Sequence, residues 1–203
     1  MLLFEPPRFV ITAERKSVMN TKKGLSSRQI QKMTYAALYL GIALMLPFIT
    51  GQIPEIGKML CPMHIPVLLC GFLCGWPWGL AVGFIAPLLR SVLFGMPALF
   101  PSAVAMAFEL AAYGAVSGLL YKALPKMKGK VYIVLIIAMI AGRLVWGGAQ
   151  MVLSGIIHSE FTPALFLAGA VTNAIPGIVL HLILIPVVVM AMERAGLSLN
   201  DGQ

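Results

Sequence analysis

The chain has 203 residues, 60% of them apolar and 11% charged, with a mean hydropathy of +0.93 and a formal net charge of +8. Soluble domains carry about 25% charged residues, so this composition excludes a soluble globular protein and describes an integral membrane protein. The basic surplus does not indicate nucleic-acid binding: Arg8, Arg15, Lys16, Lys22, Lys23, Arg28 and Lys32 precede the first apolar segment, Lys122, Lys126, Lys128 and Lys130 share one short loop, and no recognition motif for DNA or RNA accompanies them.

Residues 1–32 read as a basic cytoplasmic tail. The stretch MLLFEPPRFV is too short and too interrupted for a signal-peptide core. Met19 opens a second, conventional-looking start, MNTKKG, which makes residues 1–18 dispensable on this reading. A membrane domain over 33–195 follows. Its first span is predicted over Met33 to Thr50, where Ala37 and Gly41 form a small-xxx-small pair that lets another helix approach closely. That pair serves either packing within the chain or a partner interface. A loop follows over Gly51 to His64.

Ile65 to Phe94 is the stretch on which the topology turns. As one helix its 30 residues would rise about 45 Å, against a hydrocarbon core of roughly 30 Å. Gly75-Trp76-Pro77-Trp78-Gly79 lies at its centre and favours a break. Pro101 to Tyr121, Val131 to Ile157 and Ala164 to Met192 are the remaining predicted spans, the last with Pro176 and Pro186 inside it. Lysine-rich short loops stay in the cytoplasm, so the N-terminal tail and the 122–130 loop belong on one side. That requires an even number of crossings between them, and therefore two short helices over Ile65–Phe94 with a cytoplasmic turn at Gly75–Pro77. The expected fold is an all-α, compact bundle of six transmembrane helices in the cell membrane, with both termini cytoplasmic.

Ionisable residues within spans are costly and mark function. There are three: Arg90, Glu109 and Arg143. On the expected topology Arg90 lies near the external end of helix three. Glu109 lies about 12 Å in from the external end of helix four, and Asn173 about 14 Å into helix six. Arg143, Trp146 and Gln150 are spaced i, i+3, i+7 and share one face of helix five. Arg90, Glu109, Arg143, Trp146, Gln150 and Asn173 therefore converge beneath the external loops as a solute pocket. Only His181 falls in the cytoplasmic half. Blander roles stand beside these: a structural Glu109–Arg143 ion pair, an Arg90 that snorkels, an Asn173 that mends the helix near Pro176, and a His181 satisfied inside the bundle; His64 and His158, at external helix ends, read as lid or gate residues or, by default, as part of exposed polar turns.

Several chemistries lack their motifs. No phosphate-binding G-x-x-x-x-G-K-[ST] loop, H-E-x-x-H or G-x-S-x-G occurs, so the chain carries no ATPase of its own and reads as a non-enzyme without cofactor. Cys61, Cys70 and Cys74 are too few and too clustered for a disulfide framework, and with His64 they give only a weak metal spacing, since buried cysteine behaves as a small apolar residue.

The segments HIPVLLCGFLCGWPWGLAVGFIAPLLRSVLFG and FPSAVAMAFELAAYGAVSGLLYK, together with the small-residue pair on helix one, resemble the substrate-binding S component of energy-coupling factor (ECF) vitamin transporters over about residues 30–195. The resemblance implies a six-helix subunit that captures a vitamin or related micronutrient from outside. It implies as partners a transmembrane coupling protein and two ATPase subunits. The family's Ala-xxx-Ala contact on helix one maps onto Ala37 and Gly41, with glycine at the second place, and the loop from Gly51 to Met63 maps onto a lid. Riboflavin-type members carry an Asn followed by a Lys in helix six; Asn173 fits, but Ala-Ile-Pro-Gly follows it without a lysine. Two arginines would suit a carboxylate-bearing solute such as pantothenate. The alternative is a small polytopic membrane enzyme or scaffold subunit using Glu109, Arg143 and His181.

Overall fold

The computed structural model describes residues 26–49, 59–125, 127, 129–158, 162–170 and 174–200. The described segments form α1 (Ser27–Ile49), α2 (His64–Cys74), α3 (Trp76–Phe94), a single wide turn at Leu99–Ala103, α4 (Val104–Ala123), α5 (Lys130–Ile156), α6 (Pro163–Ala170) and α7 (Ile175–Arg194). The chain divides into two compact units, Met1–Gln31 and Lys32–Gln203.

Local sequence accounts for most boundaries. α1 starts six residues before the predicted Met33. The Ser26 hydroxyl accepts from the Gln29 amide and the Gln29 side chain accepts from the Ser26 amide, so two of the orphan donors at a helix start are satisfied reciprocally. The predicted break in Ile65–Phe94 falls at Gly75, which takes φ +98° and so belongs to glycine. Pro77 then sits in the first turn of α3 instead of kinking a longer helix. α4 begins at Val104, not at Pro101: Phe100 is extended, as a residue before proline prefers to be.

The largest departure concerns the last predicted span. Over 164–192 the described residues form α6 and α7, with Pro176 in the first turn of α7 rather than in a helix interior. Thr162 caps α6, its hydroxyl accepting from the Leu165 amide.

Five helical stretches among the described residues are long and apolar enough to cross a membrane: Ser27–Ile49, Trp76–Phe94, Leu99–Ala123, Lys130–Ile156 and Ile175–Arg194. α2 is different. At 11 residues it rises about 16 Å, short of a crossing. Every one of its residues is buried. A helix that is apolar all round is one surrounded by protein, and α2 is an inner rod between α3, α4 and α7.

α4 is the hub, packing on α2, α3 and α5. Its approach to α2 and α3 is made on bare backbone. A Cβ added to Gly114 would strike the Gly79 backbone, one on Gly83 the Leu110 carbonyl, and one on Gly118 the Trp76 backbone. Glycines four apart on both helices let the backbones touch, which is how helices associate where lipid removes the hydrophobic drive. Outward faces stay apolar: Ile133, Ile136, Ile137, Ile140 and Leu144 of α5 are exposed. Such a continuous apolar surface belongs in a bilayer.

Candidate functional site

Four helices and one turn bring polar groups together at the start of α2. Glu109 of α4 is the centre. Its Oε1 lies 3.0 Å from Arg143 Nη1 of α5 and 3.4 Å from His64 Nε2 of α2. Arg143 Nη2 also reaches Cys61 Sγ at 3.6 Å. His64 packs edge-on against Tyr113 at 5.0 Å, one turn beyond Glu109, and stacks over His181 of α7 at 5.9 Å. Tyr113 is held in place from behind, because its ring fills the space where a Cβ on Gly142 would go.

Cys61 reaches the cluster through a strained backbone. Its φ is +47°, the left-handed region that side chains other than Asn and Asp seldom adopt, and such strain concentrates at functional positions. Cys61 precedes α2, outside the apolar helices. Burial pushes its thiol above its ordinary pKa, although the Arg143 guanidinium pulls the other way. Cys61 therefore acts as a neutral, weak acceptor beside Arg143.

The cluster is buried but not satisfied. Glu109 and His64 side chains are 2% and 4% exposed, whereas Arg143 is 17% exposed and so is the group an incoming solute would meet. His64 Nδ1, Arg143 Nε and His181 Nε2 are buried with no hydrogen-bond partner among the described residues, while Glu109 Oε1 and His64 Nε2 are met only by the ion contacts above. Buried polar atoms in folded proteins are nearly always bonded, so this concentration of free capacity asks for a partner. Cys61, His64, Glu109 and His181 look like metal ligands by type, yet among the described residues no group of three or more such side chains is disposed to hold an ion.

The sequence-predicted site residues divide. Glu109 and Arg143 are brought together. Trp146 lies one turn along α5 from Arg143 and stacks on Phe166 of α6 at 6.2 Å, with Gly169 flat beneath its ring. Gln150, one turn further, is half-buried on the same face. Asn173 lies outside the described residues.

Arg90 is engaged elsewhere. Its Nη1 donates to the Leu44 carbonyl of α1 at 2.6 Å, and its guanidinium rests over the Phe48 and Phe94 rings at 5.0 and 5.5 Å. It pins α1 to α3 and shares no partner with Glu109.

His64 and His181 were assigned otherwise by the sequence. His64 is not in an exposed turn but 3% exposed at the first position of α2. His181 is not at a separate depth, because the break before α7 places it only two turns from a helix start, against His64. Tyr113 and Cys61 carried no signal as site residues, beyond the short spacing from Cys61 to His64.

The family model described as the substrate-specific component of the ECF transporter matches residues 31–189. The chain belongs to this family. Nothing among curated proteins or solved structures matches it. As an ECF substrate-specific component it is a multi-pass membrane protein and a subunit of a transporter, and the family implies partner subunits and a small-molecule substrate.

For an ECF component of this geometry, Arg90 and Arg143 are separable by mutation. Arg90→Ala removes a charged hydrogen bond and two ring contacts, and lowers stability in a detergent melt by about 2–3 kcal/mol. Because it shares no partner with the cluster, solute affinity stays within about twofold. A tenfold loss of affinity at unchanged stability would instead place Arg90 in the site.

Proposed function

We propose that this chain captures a vitamin-class micronutrient from outside the cell, at the cluster of Glu109, Arg143, His64 and His181, for uptake driven by a coupling protein and two ATPase subunits. The observation that carries the reading is the free hydrogen-bonding capacity beside the one accessible member, Arg143. Trp146 on Phe166 forms an aromatic wall on the approach to it, and Gln150 lies further out on the same helix face. The accompanying topology has six membrane segments, α2 being the second, and both termini cytoplasmic. The lysine-bearing loop between α4 and α5 supports that orientation.

Substrate chemistry is narrowed by charge. Glu109 already neutralises Arg143, and Arg90 is occupied by Leu44 and two rings. A carboxylate-bearing solute such as pantothenate is therefore held by Arg143 alone, in competition with Glu109. A solute offering both donors and acceptors uses more of the cluster. The test is a thermal-shift screen of the purified chain against B vitamins and their precursors. A true ligand at 1,000 times its Kd stabilises by about 4 kcal/mol. A hit that disappears in Arg143→Ala assigns both substrate and site. No response across the panel from a folded protein overturns the capture reading.

The outward face of α1 fits the partner side of this function. Ala37 and Gly41 are exposed there, within an open apolar groove that also includes Leu38, Ile42, Met45 and Ile49. Among the described residues nothing lies within 4 Å of a Cβ added to Gly41, so its smallness serves no contact with them. A helix of the coupling protein could approach closely on this surface.

A further inference from the structure

The residues after α7 turn back into the molecule. The Leu197 amide donates to the Met192 carbonyl, and the chain then runs to the far end of α2. There the Leu199 amide donates to the Leu73 carbonyl at 2.8 Å. The Asn200 side-chain amide donates to the Phe72 carbonyl at 3.1 Å and to the Gly118 carbonyl of α4 at 3.4 Å. Asn200 is 4% exposed, and its Oδ1 faces Gly75, the left-handed glycine that separates α2 from α3. The base of the strap is fixed too: Tyr121 of α4 donates to Glu193 of α7, and Lys130 of α5 lies 4.3 Å over the Tyr121 ring.

The last carbonyls of a helix have no partner within it. In α2 a side chain from 128 residues away supplies one. Solubility does not demand a buried asparagine here, and a polar side chain left unbonded at this depth would be costly. The same rod carries His64 at its other end, on Glu109. α2 is short and buried along its whole length, packed too closely to absorb a displacement by bending. A shift of its Leu73 end along the helix axis becomes a shift of His64.

We infer that the strap Leu197–Asn200 is a positioning device for the solute site, with Asn200 setting the axial place of α2 and so the place of His64 against Glu109. It rests on the site proposed above. It needs no covalent chemistry and no partner: two hydrogen bonds hold the rod at one end, a third ties Asn200 to α4, and His64 reads the rod's position at the other end. Release of the strap lets α2 move and opens the packing around Cys61 and Cys74, which flank its two ends, while Cys70 in its middle stays enclosed.

The three native cysteines report this directly, without a known solute. The full chain and two variants, Asn200→Asp and a chain ended after Gly196, are treated with N-ethylmaleimide in detergent, and each cysteine's modification rate is read by peptide mass spectrometry. Asn200→Asp keeps the shape but loses both donors. Two lost buried hydrogen bonds predict modification about tenfold faster at Cys61 and Cys74 in both variants, with Cys70 unchanged. Faster modification at Cys74 alone means local fraying and overturns the coupling. Equal acceleration at all three cysteines means general loosening and also overturns it, as does no change. Because no ligand enters the assay, its failure is distinct from failure of the capture reading, which the vitamin screen decides.

Discussion

Gly114→Ala is expected to prevent the subunit from folding, at a cost of about 3 kcal/mol or more, whereas Gly41→Leu leaves its stability intact. The added methyl at Gly114 meets the backbone of Gly79 and not the tip of a side chain, so no rotamer change relieves it. Relief requires α3 and α4 to separate, and that would undo the Gly83–Leu110 and Gly118–Trp76 contacts on either side. Ser117, one turn along, already returns its hydroxyl to the Gly114 carbonyl, so the α4 backbone is tied as well as crowded. At Gly41 an added Cβ meets nothing within 4 Å among the described residues. Leucine there instead fills the groove a coupling protein would need. Thermal melts and co-purification with the coupling protein and ATPases check the pair together: Gly114→Ala yields no folded protein, and Gly41→Leu yields a normal melt with the complex lost. A stable Gly114→Ala subunit would mean that the α3–α4 seam is not set by backbone contact.

Much of this architecture is legible in the residues. Runs of apolar side chains locate four of the five long helices, and Gly75 before Trp76-Pro77 marks the break between α2 and α3. The capping box Ser26-x-x-Gln29 was there to be read as the start of α1, but it lies among polar residues that look like tail. Pro176 was ambiguous by nature. A proline inside an apolar run either kinks a helix or begins one, and only the packing of α7 against α2 selects the second.

The site was half legible for a physical reason. Glu109 and Arg143 stand out because a charge in an apolar run has no bland explanation. Cys61 and His64 do not, because they sit between a polar loop and an apolar helix, where either residue is ordinary. Burial of α2 on all sides turns that boundary into the interior, and a pattern of apolar residues cannot distinguish a short helix facing lipid from one facing protein. Arg90 lies away from that cluster: its cost is met by the Leu44 carbonyl and the Phe48 and Phe94 rings, contacts set by tertiary structure.

Glu109→Ala is expected to destabilise the subunit by about 3–5 kcal/mol, because it strands Arg143 as an uncompensated charge within the bundle. That result alone would not separate a structural ion pair from a solute site, since both predict it. The double variant Glu109→Leu with Arg143→Met does. Replacing both members of a buried pair with apolar groups of similar size is near neutral, so its melt returns to within about 1 kcal/mol of the parent chain. Solute affinity behaves differently. If the pair is the site, the charged hydrogen bonds it offers are gone in the double variant, and affinity falls by about 100-fold although the fold is restored. If the pair only holds α4 to α5, the double variant regains affinity with stability. His64 then supplies the final discrimination. It faces Glu109 from α2 and adds nothing to the α4–α5 contact. Its replacement by Gln weakens solute binding in the first case and leaves it unchanged in the second, as measured by titration calorimetry with whichever vitamin the thermal screen identifies.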